Sequence, residues 1–441
     1  MRARALHRPW RARIALVVAV NLAVVGIDAL VAFRRASDSA VAISADGVDA
    51  TQRAQQVSTL LKVRERAVKE RDRTAFLSTV DPNQQAFYNR QSRLFDNLAK
   101  VPIGTWHYVV DASQTSPEYP KKFATYKAPV WVPLVTLSYS LAGYDTHPAL
   151  LIERFTFVQR SGAWLIGNDD DFTAGGSPSG RGIWDYGTVV RATGKSSLVL
   201  GHPRAAATLQ QIANLADDAV AHVTSVWGTA WSRKVVVLVP DTQEELAAII
   251  SEGNDLSEIA AVAVAQNAGG NAPQGEFGDR IILNPVNFVQ LSDVGRKVIL
   301  RHEVTHVASR SVTGSIAPQW LVEGVADYVG YRDAGIALPV VAHELAADVK
   351  AGYRPQKLPD DSDFASYAPK LAQAYEMSWI ACRLIVEKVG ERGLVRFYRM
   401  VGLSKAPTAN EAVDKAMSSV LHESYASFVE LWRQRIVGEL S

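Results

Sequence analysis

The chain has 441 residues, 48% of them hydrophobic and 21% charged, with a net charge of +2. That balance describes globular domains, two or three of them at this length, and excludes a disordered acidic or basic polymer. No basic stripe with interleaved aromatics appears, which argues against nucleic acid as a partner.

In chain order, Arg2, Arg4, Arg8, Arg11 and Arg13 precede an apolar run from Ile14 to Phe33. About twenty apolar residues suffice to cross a hydrocarbon core. The basic end is expected to stay in the cytoplasm and the rest to be exported. Residues 1–35 therefore read as a cytoplasmic tail and a single-pass transmembrane signal anchor, with the later domains extracellular. Asn21 and Asp28 interrupt the run, and a cleaved secretory signal is the alternative. Residues 36–50 are small and polar and read as a linker.

Residues 51–172 form the first expected domain. Ala54 to Leu98 is helical in pattern, broken at Asp81-Pro82. After Pro102 the period changes to two. Trp106–Val110, Val130–Leu141 and Leu151–Gln159 read as strands, and Ser161-Gly162 turns into a further strand at Ala163–Ile166. Helices followed by an antiparallel meander is an α+β layout. It resembles the NTF2-like cone, in which a curved sheet wraps a long helix. His107 and His147 have no second ligand at metal spacing and read as ordinary structural or surface histidines. The domain is either a docking or sensing module, whose partner the sequence does not name, or a spacer.

Asp169-Asp170-Asp171 lacks the spacing of a calcium loop and reads as solvated. With the Gly- and Ser-rich stretch behind it, it opens a linker over 173–195. Residues 196–441 make the second domain. Leu198–His202 reads as a strand, Thr208–Trp227 as an amphipathic helix, and Lys234–Val239 as a β run. Gln243–Ile250 reads as a helix, and Ala260–Ala265 and Arg280–Leu283 as strands. The one cysteine, Cys382, can form no intramolecular disulfide and reads as a small buried hydrophobe.

The chemistry concentrates in His302-Glu303-Val304-Thr305-His306. Residues four apart share a helix face, so His302 and His306 can turn two imidazoles towards one ion. Glu303 lies close enough to reach a water in the metal's open position. Ser292 or Asp293 is the expected helix cap. A second helix starting near Pro318 brings Glu323 as the third protein ligand. Two His and one Glu leave a fourth position open, the layout of a catalytic site.

With Pro318-Gln319-Trp320-Leu321-Val322-Glu323-Gly324-Val325-Ala326-Asp327-Tyr328 behind it, this motif resembles the gluzincin zinc metallopeptidases, the group of thermolysin and the related aminopeptidases. The resemblance implies one Zn2+ per chain held by His302, His306 and Glu323, with Glu303 as general base. It implies that Asp327 orients a zinc histidine. It also implies a small mixed sheet before the zinc helix and a mainly helical subdomain after it. Ile281–Asn284 stands where that family has the strand forming the cleft wall. Ala374-Tyr375-Glu376-Met377-Ser378 resembles a helix start whose tyrosine stabilises the oxyanion, which makes Tyr375 the candidate donor and Tyr367 and His343 weaker ones. The expected function is a membrane-anchored metallopeptidase acting on peptide or protein substrates. The alternatives are a catalytically silent sensory or scaffolding protein that keeps the fold, and an amidase acting on cell-wall material.

Overall fold

The computed structural model describes residues 47–115, 121–250, 256, 259–265 and 278–441. Its architecture is α+β, as expected, but the expected transmembrane helix requires correction. No helix among the described residues is long and apolar enough to cross a membrane, so the single-pass placement is not supported. The run Ile14–Phe33 on which it rested lies outside the described residues.

The N-terminal module begins with three helices, α1 (Gly47–Glu70), α2 (Arg73–Leu77) and α3 (Gln85–Asn97). Asp72 caps α2 by accepting from the Ala75 amide. Six strands follow, β1 (Ile103–Thr115), β2 (Val130–Trp131), β3 (Pro133–Leu141), β4 (Ala149–Glu153), β5 (Thr156–Arg160) and β6 (Ala163–Asn168). They form two three-stranded antiparallel sheets, β1-β3-β4 and β2-β5-β6. In β3 the period-two pattern is exact: Val135, Leu137, Tyr139 and Leu141 point inwards while their neighbours are half-buried. Helix α1 lies on β1 and sends Arg64 into the interior. There its guanidinium stacks 3.7 Å from the Phe76 ring centre and donates to Thr79 Oγ1 at 3.1 Å.

Residues 173–195, expected as a linker, carry structure. Trp184 packs between Trp106 and Tyr139 of the first module, with ring centres 5.6 and 5.0 Å away. Strand β7 (Val190–Thr193) pairs with β8 (Ser197–Gly201). The aspartates before this stretch are not all solvated. Asp169 is buried between Arg90 and Arg181, at 2.6 and 2.7 Å. Asp171 accepts from Tyr126, Thr156 and Asn168 at 2.6–2.7 Å.

The second unit continues with α4 (Ala206–Trp227), β9 (Val235–Val239), α5 (Gln243–Ile250), β10 (Ala261–Ala265) and β11 (Asp279–Leu283). The sheet order is β10-β11-β9-β8-β7. Pairing is parallel across β8-β9-β11 and antiparallel at both edges. β9 reads Val-Val-Val-Leu-Val because a strand paired on both sides and covered on both faces needs apolar residues at each position. Helices follow: α6 (Asn287–Gln290), α7 (Asp293–Ser309), α8 (Gln319–Tyr331), α9 (Leu338–Val341), α10 (His343–Lys350), α11 (Leu371–Gly402, broken at Gly390), α12 (Ala409–Ala416) and α13 (Tyr425–Leu440).

A buried ion pair joins the two units. Arg280 of β11 is fully buried and donates to both Asp145 oxygens of the N-terminal module, at 2.7 and 2.8 Å. It also reaches Tyr139 Oη at 3.3 Å. Asp145 Oδ2 accepts in addition from the Leu141 amide at 2.7 Å.

Candidate metal centre

Helix α7 is capped by Ser292, whose hydroxyl accepts from the Gly295 amide at 3.1 Å. Beyond its first turn it is buried on most sides, lying against α4 and α8. That depth explains why its inward-facing groups are His302, Glu303 and His306 without solvent to satisfy them. Helix α8 is pressed close to two neighbours at once. A Cβ at Gly330 would meet the Val298 carbonyl of α7 at 3.0 Å. A Cβ at Gly324 would meet the Ser378 carbonyl of α11 at 2.6 Å and Cys382 Sγ at 2.9 Å. The two glycines thus permit the approach that sets Glu323 against the histidines.

The three polar tips form a small triangle. His302 Nε2 and His306 Nε2 are 3.0 Å apart, and Glu323 Oε2 lies 3.3 Å from the first and 3.4 Å from the second. Ligand atoms about 2.0–2.1 Å from a tetrahedral zinc stand roughly 3.3 Å from one another, so these edges match one face of such a site. All three residues are buried. Both oxygens of Glu323 lack a hydrogen bond of normal geometry, which an ion at the triangle would answer. Among the described residues this is the one group of His, Cys, Asp and Glu so arranged. The donor set and its spacing therefore fit zinc.

Charges in the triangle depend on one another. Burial works against a charged His302, but Asp327 and Glu323 outweigh it and hold the imidazole well above its ordinary value. Burial pushes His306 down despite the pull of Glu323. Burial raises Glu323 too, but the two imidazoles win and bring it to about 2. The carboxylate is therefore ionised, as a metal ligand must be. Asp327, one turn beyond Glu323, lies 2.9 Å from His302 Nδ1. With an ion bound, the Nδ1 proton donated to Asp327 would leave the Nε2 lone pair for the metal.

Glu303 is buried beside the triangle, and neither of its oxygens has a hydrogen bond of normal geometry. Burial pushes it up to about 7. His302 pulls it down, Glu323 pushes it up, and the Ala263 backbone and Arg310 pull it down again. A carboxyl near neutrality can both take and return a proton. The strand facing it is β10. The sequence pointed to Ile281–Asn284 as the cleft wall, but β11 is paired on both sides and offers no open edge. The edge strand next to β11 is β10. Its Ala260 carbonyl accepts from Asn284, so alternation turns residues 260, 262 and 264 towards β11 and residues 261, 263 and 265 outwards.

Tyr375 stands in the first turns of α11, buried, with its ring edge-on to Phe364 at 5.2 Å. Burial raises its hydroxyl well above the ordinary value, and the charges of Glu323, Asp327 and Glu303 raise it further. Tyr367 is 89% exposed, and His343 is exposed with Glu344 as its nearest carboxylate at 3.7 Å, so both face solvent. Three features of the site were not singled out from the sequence. Glu376, next to Tyr375, accepts the Glu344 and Leu345 amides at 3.2 and 2.6 Å and clips α10 to the start of α11. Burial, and then Glu344, push its carboxyl up to about 9. The other two are Ala263 on the edge strand and Arg310, which holds the Ala263 carbonyl at 3.1 Å. Arg310 follows His306 by four residues, so helical periodicity alone placed it on the histidine face.

No protein-family model matches the chain, and no curated protein does. Among solved structures it is similar to a two-domain M1 zinc metallopeptidase mutant bound to L-tryptophan. That match has 13% identity and a TM-score of 0.32, covering 55% of this chain and 51% of the other. A mutant M1 zinc metallopeptidase from Deinococcus radiodurans bound to a Tyr-Ser-Ala substrate is 13% identical. It matches over 70% of this chain and 61% of its own, with a TM-score of 0.34. Another mutant enzyme structure from that organism is 12% identical and matches over 69% and 90%, again with a TM-score of 0.34. The chain spans about half the length of the first of these.

Proposed function

We propose that the chain is a zinc-dependent peptidase whose ion is held by His302, His306 and Glu323. The observation that carries this reading is the buried triangle of 3.0–3.4 Å edges with a second buried carboxyl, Glu303, beside it and β10, an edge strand among the described residues, alongside. A structural zinc site needs no spare carboxyl, and a buried one pushed up to about 7 beside the ligands is suited to acid–base chemistry.

When bound, zinc would polarise a scissile carbonyl and lower the pKa of water. The chain's own residues supply the rest. Asp327 holds His302 in the tautomer that presents Nε2. Glu303 takes the proton from the attacking water and returns it to the leaving amine. Outward groups of β10 can pair with an extended peptide by strand addition, which presents its backbone to Glu303. Tyr375 donates its hydroxyl to the oxygen that gains negative charge. The N-terminal module is read as NTF2-like, with a positioning role towards the peptidase unit through Arg280 and Asp145.

The test is a peptide-library screen with the zinc-loaded protein, repeated after chelation and after zinc is restored. Cleavage that disappears and returns with zinc supports the reading. A zinc-loaded protein that cleaves cell-wall amides and no peptide would replace it with amidase activity.

Tyr375→Phe removes one donor and keeps the ring against Phe364. Turnover should fall about a hundred-fold, with zinc content, melting temperature and KM close to the parent, because the bond strengthens only as charge develops. Parent-like turnover in that variant, with damage only in Tyr375→Ala, would reduce Tyr375 to a packing residue.

A further inference from the structure

We propose that Arg310 is the positioning residue that sets the substrate-binding edge of β10 against the metal helix; the proposal rests on the peptidase reading above. Arg310 follows α7 directly, one turn after His306. Its guanidinium makes two directed contacts. Nε donates to Asp279 Oδ1 of β11 at 3.0 Å, and Nη2 donates to the Ala263 carbonyl of β10 at 3.1 Å. The side chain is 12% exposed and Asp279 15%, so solvent competes little for either bond.

The Ala263 carbonyl is an unusual acceptor for such a bond. Alternation along β10 turns its peptide outwards, away from β11, to the side where an added strand would pair. A strand at a sheet edge is held by neighbours on one side only and is free to shift on the other. Here the chain that precedes and follows β10 contributes no further strand to the sheet among the described residues. Arg310 replaces the missing neighbour with a single planar fork. One arm fixes the edge strand, and the other is fixed by a carboxylate on the adjacent strand. The root of the fork is the helix that carries both histidines and Glu303.

The consequence is geometric. Ala263 lies opposite Glu303, so a peptide pairing with residues 261–265 brings its scissile bond to the metal only if β10 keeps its distance from α7. Carbonyl oxygens have two lone pairs, so Ala263 can still accept from a substrate amide while Arg310 holds it. A displacement of about 1 Å at such a site costs on the order of a hundred-fold in rate. Lysine cannot serve both contacts, since its ammonium is a point donor without the fork.

The test uses the full chain loaded with zinc. Arg310→Gln, Arg310→Lys and Asp279→Asn are compared with the parent for zinc content, amide hydrogen exchange in the 261–265 segment, and kcat and KM on one cleavable peptide. The expected result is full zinc content and exchange in 261–265 faster by at least about ten-fold, with α7 amides unchanged. Alongside it kcat/KM should fall about a hundred-fold in Arg310→Gln and less in Arg310→Lys. A purely structural role predicts a lower melting temperature with exchange raised across the molecule and the same kcat/KM at low temperature, and that outcome overturns the proposal. Unchanged exchange at 261–265 overturns it as well. If the parent binds zinc but cleaves no peptide, the peptidase reading fails, and the exchange arm still decides whether Arg310 holds the edge.

Discussion

A Glu303→Gln protein is expected to keep its zinc and to cleave peptides about a thousand-fold more slowly than the parent, the range seen when a general base is lost. Glutamine preserves the shape of the side chain and its acceptor oxygen but cannot carry the proton. Glu303 is next to His302 on α7, so its side chain leaves the helix about 100° away from the ligand face. Its carboxyl is instead aimed at the space between the triangle and β10, where burial brings it to about 7. His306→Ala should behave in the opposite way, since it removes one corner of the triangle and should empty the site. Elemental analysis beside single-turnover cleavage separates the two. Loss of zinc in Glu303→Gln would show that Glu303 is a ligand and that the roles are misassigned.

Asp145→Ala should lower the stability of the chain by about 3–5 kcal/mol, the usual result when one partner of a buried pair is removed. The deficit comes from Arg280, which is fully buried in β11 and, among the described residues, would keep Tyr139 and its own strand as hydrogen-bond partners. A double replacement, Asp145→Leu with Arg280→Met, should recover much of the loss, because no charge is then stranded. Denaturant midpoints of the three proteins check this. For the same reason a fragment beginning at residue 196 should fold poorly, although the sequence marks a boundary there. A stable, cooperative 196–441 fragment would show that the ion pair is dispensable.

These outcomes bear on what could be read without coordinates. The triangle was legible because its geometry is local. Helix periodicity places His302 and His306 on one face, and Glu323 follows within one turn-linked helix pair. Most of the elements around it were legible for the same reason: Ser292 does cap α7, and α5 spans Gln243–Ile250 as its pattern predicts. Pairings across distance were not. Asp145 and Arg280 are separated by 135 positions, and nothing in either neighbourhood announces the other. Asp169-Asp170-Asp171 looked solvated because three adjacent acids usually are, yet Arg90, 79 positions earlier, and Arg181, 12 positions later, close on Asp169. Sheet order was equally hidden. β10 is apolar throughout while β11 carries Asp279 and Arg280, so composition points to β11 as the edge, whereas the pairing puts β10 there. The two glycines of α8 carried no visible signal, since their function is to let helices from other parts of the chain approach.

The central claim is that His302, His306 and Glu323 hold zinc, and X-ray absorption at the zinc edge of the purified chain tests it most directly. The account predicts near-stoichiometric zinc with two imidazole ligands and oxygen donors at about 2.0–2.2 Å, and no sulfur ligand. A protein that retains no zinc after reconstitution, or a spectrum of zinc coordinated by oxygen alone, would contradict it.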